Sequence, residues 1–156
     1  MKIETISNSE EETIKFGKKL GSLLKAGDLI LLYGDLGSGK TTFVKGLAES
    51  LEVNPDLYIT SPSFSIINVY EGKYTIYHVD LYRLDTLEVE DLGLWEYLND
   101  GVVVIEWADR LKITLKEDYI EVFFEFLNHL KRKITFVGYG EWQELLKGMD
   151  LDKESH

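Results

Sequence analysis

Residues 34–41 read Gly34-Asp35-Leu36-Gly37-Ser38-Gly39-Lys40-Thr41, the pattern G-x-x-x-x-G-K-[ST]. A short apolar run, Asp28–Tyr33, leads straight into it. A helical pattern starting near Lys40 leads out, with Phe43, Val44, Leu47, Ala48 and Leu51 on one side. Strand, glycine-rich turn and helix in that order form a phosphate-binding P-loop. The glycines let successive backbone N–H groups turn inward around phosphate oxygens, and the positive end of the following helix adds to the field. In such a loop Gly37, Ser38 and Gly39 supply the cradle and Lys40 a cation for the β- and γ-phosphates. The Thr41 hydroxyl is placed for Mg²⁺, and that of Thr42 for the α-phosphate.

Outward from this unit the chain alternates strand and helix patterns. A strand is expected over Lys2–Ile6, followed by a capping box at Ser9–Glu12, with Ser9 capping and Glu12 reaching back. Thr13, Phe16, Gly17, Leu20, Leu23 and Leu24 then recur at helical spacing, and Gly27 is the expected helix end. After Asn54-Pro55-Asp56, strands are expected over Ser65–Tyr70 and Tyr74–Asp80, joined by Glu71-Gly72-Lys73 as a hairpin. Asp85–Glu88 has capping-box spacing ahead of a helix carrying Leu92, Trp95 and Leu98. Val102–Glu106 reads as a buried strand, and Ile120–Phe126 and Lys133–Val137 as a second hairpin across Asn128–Lys131. A helix over Glu141–Lys147 closes the pattern. The expected fold is a single α/β P-loop domain over residues 1–148, mainly parallel, flanked by helices and extended by antiparallel hairpins. Residues 149–156 are expected to be a flexible tail.

The formal net charge of −11, with 28 acidic residues against 17 basic, argues against a domain that grips nucleic acid alone. Proteins or small molecules are the expected partners. No cysteine is present, which removes disulfides, thiolate zinc sites and cysteine nucleophiles. The polar stretch Met1–Glu12 lacks the apolar core of a signal peptide, and runs such as Leu29–Tyr33 are far too short to span a bilayer. A soluble, cytoplasmic protein is expected.

A metal-bridged triphosphate also calls for an acid at the end of a neighbouring strand. Two strand patterns end in one, Asp80 and Glu106. Either carboxylate can serve Mg²⁺ while the other orients the attacking water, and the pattern does not allocate the roles. His78 stands two residues before Asp80, on the same strand face. The hydroxyl-rich loop Thr60-Ser61-Pro62-Ser63-Phe64 sits where a γ-phosphate sensor lies in P-loop proteins, and Tyr82, Arg83, Trp107 and Arg110 crowd the strand ends beyond the acids.

Together Gly34–Phe43 (GDLGSGKTTF), Thr60–Phe64 (TSPSF), His78–Leu84 (HVDLYRL) and Glu106-Trp107 resemble the TsaE family in order and spacing. The match runs from the first helix to Arg110 and is looser beyond. The resemblance implies an ATPase required for N6-threonylcarbamoyladenosine at position 37 of tRNA, acting on the partner proteins TsaB and TsaD rather than transferring the group itself. It makes Thr41 and Glu106 the Mg²⁺ ligands, Asp80 the acid needed for hydrolysis, Thr60–Phe64 a switch loop and Trp107 the family's tryptophan beside the metal acid. Ser38 and Ser63 depart from the alanine and threonine common there, with the local chemistry preserved. Three readings compete with this one. A small nucleoside or nucleotide kinase would need more arginines than Arg83, Arg110 and Arg132. A GTP switch would need Asn-Lys-x-Asp, which is absent. A nucleotide-binding adaptor without turnover is the third.

Overall fold

The computed structural model describes residues 1–35, 37–57, 59, 67–81, 94–106 and 118–149. Seven strands form one sheet: β1 (Lys2–Ser7), β2 (Leu29–Tyr33), β3 (Ile67–Tyr70), β4 (Thr75–Asp80), β5 (Gly101–Glu106), β6 (Tyr119–Phe126) and β7 (Arg132–Tyr139). Their order across the sheet is β1-β7-β6-β2-β5-β4-β3. The centre, β6-β2-β5-β4, is parallel. Antiparallel pairs extend it on both sides, β6–β7 and β7–β1 at one edge and β4–β3 at the other. This is the α/β sheet with hairpin additions that the strand–helix alternation implies.

The central strands are buried on both faces, as their unbroken apolar runs require: β5 is buried at all six positions. Ile30 and Leu32, Ile76, and Val102 and Val104 face the helical layer, while Leu29 and Leu31, Val79 and Leu81, and Val103 and Ile105 form the core on the opposite face. Helices α1 (Glu10–Gly21) and α2 (Lys40–Ser50) cover the first face. Phe43 of α2 is fully buried against Phe124 and Phe136, at ring centroid distances of 5.4 and 5.9 Å. Burying a side chain of this size contributes about 1.5–3 kcal/mol. The helices themselves meet at two glycines. A Cβ on Gly17 would strike the Phe43 carbonyl oxygen and one on Gly46 the Ile14 carbonyl oxygen, so only glycine permits this approach.

Three local readings change. Ser9 caps α1 as expected, its hydroxyl accepting from the Glu12 N–H at 3.1 Å. Glu12, however, reaches one residue further back, where its carboxylate accepts from the backbone N–H and the side-chain amide of Asn8. Helix α1 ends at Gly21 rather than Gly27, and Leu23 and Leu24 continue in a turn bonded to Leu20 and Gly21. Gly27, at φ +100°, instead turns the chain into β2 and donates to the Gly101 carbonyl. The closing helix is split into α4 (Trp142–Leu145) and a 3₁₀ turn over Leu146–Met149, with Trp142, Leu146 and Met149 all in the core. Between β4 and β5 the described part of the expected helix is α3 (Leu94–Tyr97). Its capping box at Asp85–Glu88 lies outside the described residues. Among the described residues no helix is long and apolar enough to cross a membrane.

Candidate functional site

Strand β2 sits between β6 and β5, so the loop leaving its carboxyl end opens at the middle of the sheet edge. Gly37 and Gly39 hold φ of +77° and +111°, in the left-handed region that side chains resist. Gly39 is the residue that starts α2, and Phe43 donates back to its carbonyl at 2.9 Å. The N-terminus of an eleven-residue helix thus points along the loop, presenting its positive dipole end. Lys40 is almost wholly buried, and its Nζ donates to the Gly34 carbonyl at 2.5 Å. The ammonium is therefore folded across the mouth of the loop that it would share with phosphate.

A cavity of about 610 Å³ lies over this loop. Its floor is Gly37, Gly39, Lys40, Thr41 and Thr42, five of the six residues assigned to the nucleotide from sequence. The sixth, Ser38, lies beneath the loop rather than on the cavity wall. Its N–H donates to the Asp35 carbonyl, and among the described residues its buried hydroxyl has no hydrogen-bond partner.

The two acids are brought together at the strand ends. Asp80 of β4 and Glu106 of β5 are direct register partners, and Glu106 is in turn the register partner of Leu32 in β2. In-register residues of parallel strands share a face, here the one bearing α1 and α2. Strand spacing is about 4.8 Å, so Glu106 stands one strand from the P-loop strand and Asp80 two. Glu106 lines the cavity, 2% exposed, whereas Asp80, 8% exposed, stands behind it and off the cavity wall. This ordering is what the sequence left open. His78 is fully buried on the same face, its Nε2 2.5 Å from Glu106 Oε2.

Two walls of the cavity went unassigned in the sequence. One is the N-terminus of α1, with Ser9, Glu10 and Thr13. Ser7 Oγ lies 2.6 Å from Thr13 Oγ1, tying this turn to β1. The other is the tip of the β6–β7 hairpin, with His129, Leu130 and Arg132. Arg132 lies over the Phe126 ring at 4.6 Å and donates to the carbonyls of Asn128 at 2.7 Å and of Gly37, in the P-loop itself, at 3.2 Å. The hairpin is legible in the sequence, but nothing local says where its tip lands. The expected sensor loop Thr60–Phe64 lies outside the described residues, as do Tyr82, Arg83, Trp107 and Arg110.

Among the described residues no three His, Cys, Asp or Glu side chains cluster to hold a metal by themselves. Mg²⁺ keeps waters and is held by one or two protein oxygens together with substrate phosphates. Thr41 and Glu106 face one cavity beside Lys40 and meet that requirement.

Comparison with known proteins gives one answer. The family model for threonylcarbamoyl adenosine biosynthesis protein TsaE matches residues 7–134. Two proteins named tRNA threonylcarbamoyladenosine biosynthesis protein TsaE are similar over most of their length. The one from Bacillus subtilis (strain 168) is 40% identical over 87% of this chain and 85% of its own. The one from Treponema pallidum (strain Nichols) is 41% identical over 83% and 96%. The crystal structure of Bacillus subtilis YdiB superimposes with a TM-score of 0.83 and 31% identity, covering 99% of this chain and 97% of that one. Strand-end acids beside a P-loop, the matching span and the shared architecture agree: this chain belongs to the TsaE family, whose members take part in tRNA threonylcarbamoyladenosine biosynthesis.

Proposed function

We propose that the protein is a Mg²⁺-dependent ATPase required for forming the threonylcarbamoyl group on adenosine 37 of tRNA, working on TsaB and TsaD in the cytoplasm. The observation that carries this reading is that Lys40, Thr41 and Glu106 wall one cavity. At about 610 Å³ it has the size of a small-ligand site, which runs from about 300 to 1,000 Å³. The triphosphate lies on the P-loop with Lys40 released from the Gly34 carbonyl towards the β- and γ-oxygens. Thr41 and Glu106 would hold Mg²⁺, which would supply charge neutralisation to the phosphates. Asp80, one strand further out, orients the attacking water. The nucleoside extends between the α1 N-terminus and the hairpin tip.

The net charge of −11 supports action through protein partners, since an acidic domain repels the tRNA backbone. Binding measured by calorimetry tests the nucleotide assignment. ATP and ADP with Mg²⁺ are expected to bind and GTP to compete poorly, while Lys40→Ala weakens binding. Unaltered affinity in Lys40→Ala contradicts the assignment, and preference for GTP favours a GTP switch.

A further inference from the structure

The helical face of β4 and β5 is aliphatic at Ile76, Val102 and Val104, yet in their midst stands an imidazole. His78 pairs in register with Val104, and Glu106 lies two residues further along β5 on the same face. The two side chains are therefore diagonal neighbours across adjacent strands. They meet at 2.5 Å, with side-chain exposures of 0% and 3%. Nε2 is the ring nitrogen in the contact, and a proton on it donates to Glu106 Oε2. Among the described residues Nδ1 has no hydrogen-bond partner. Besides a tilted ring contact with Tyr70 at 6.3 Å, the imidazole thus spends its one observed hydrogen bond on this carboxylate, at the cost of desolvating both groups. An aliphatic pair would pack this layer more cheaply.

Glu106 is the acid that both reaches the cavity and touches His78. We propose that His78 is a positioning residue: its Nε2–H anchors Oε2 of Glu106, fixing the carboxylate plane so that Oε1 is held for the divalent cation. This rests on the reading of Glu106 as a cation ligand. Partners that hydrogen-bond to metal ligands fix their orientation, and removing them costs about 10–100-fold in metal affinity. His78 gains this role from its place in the sheet, two residues upstream of Asp80, so one strand end supplies both the second acid and the brace for the first.

The test is Mn²⁺ binding to the protein–ADP complex, read as loss of the free-ion electron paramagnetic resonance signal, with ADP affinity in EDTA as the control. Glu106→Gln, His78→Leu, His78→Gln and His78→Asn are compared with the unaltered protein. His78→Leu is expected to weaken Mn²⁺ binding about 10–100-fold and to leave metal-free ADP binding unchanged. His78→Gln, whose amide nitrogen reaches the Nε2 position, recovers most of the loss, whereas the shorter His78→Asn does not. Wild-type Mn²⁺ affinity in His78→Leu overturns the proposal. Should His78→Leu fail to fold by circular dichroism, equal Mn²⁺ binding by the Gln and Asn variants overturns it instead. If Glu106→Gln itself binds Mn²⁺ normally, the underlying reading of Glu106 falls. If it binds weakly while His78→Leu does not, only the brace falls.

Discussion

Arg132 donates to the carbonyl of Gly37 across a sequence separation of 95 residues, fastening the tip of the β6–β7 hairpin to the P-loop. The same guanidinium stacks on Phe126 and holds the Asn128 carbonyl, so it stiffens the hairpin tip and attaches it in one stroke. Arg132→Ala is expected to loosen that cavity wall and weaken ADP binding. A hydrogen bond of this kind is worth about 0.5–1.5 kcal/mol, which corresponds to a roughly two- to twelvefold rise in Kd by calorimetry. Arg132→Lys should recover only part of it, since an ammonium lacks the planar fork that stacks and donates at once.

Gly46 lies where α2 meets α1, and a Cβ there would strike the Ile14 carbonyl oxygen. The obstacle is backbone, so it cannot rotate aside. Gly46→Ala should destabilise the fold by about 1–3 kcal/mol, read as a lower urea midpoint at unchanged slope. Because α2 carries Lys40 and α1 carries Glu10 and Thr13, nucleotide affinity should fall in the same variant.

Asp80 stands in register with Glu106 but off the cavity wall. Asp80→Ala is therefore expected to keep MgADP affinity within about twofold while phosphate release falls by at least about 100-fold, the usual scale for losing a positioned acid or base. Fluorescent-nucleotide binding and a phosphate-release assay separate the two effects. An equal fall in both would place Asp80 among the metal ligands instead.

Between β6 and β7 the Tyr139 hydroxyl donates to Glu121 at 2.5 Å. That bond, with desolvation second, pushes its phenol up from 10.0 to about 12. Burial, reinforced by Glu121, raises Tyr33 in the same direction. The folded protein then keeps protons that the unfolded chain has already released. The contribution of Tyr139 to stability is full below pH 10 and is lost as pH rises through about 12. Tyr139→Phe should flatten that fall in unfolding free energy and remove a late step from the tyrosinate absorbance titration at 295 nm.

What the sequence carries and what it withholds divide along the range of the interactions. The P-loop, the capped start of α1, and the hairpins at Glu71–Lys73 and Asn128–Lys131 are local patterns, and each stands where its residues imply. The strand-end positions of Asp80 and Glu106 were equally readable, since each closes an apolar run. Their ranking was not. It depends on β5 lying between β2 and β4, a choice of strand order made by the whole sheet. The His78–Glu106 contact and the Arg132 latch are likewise products of strand pairing, invisible to spacing along the chain. Gly27 shows the reverse error. A glycine suited to ending a helix was instead needed, at φ +100°, to admit the chain into the sheet.

The most direct measurement is phosphate release from MgATP by the purified protein, alone and mixed with TsaB and TsaD, with Asp80→Ala in parallel. The expected result is slow release alone, strong stimulation by the pair, and loss of that stimulation in Asp80→Ala with nucleotide still bound. Absence of stimulation, or equal stimulation of the Asp80→Ala protein, would contradict it.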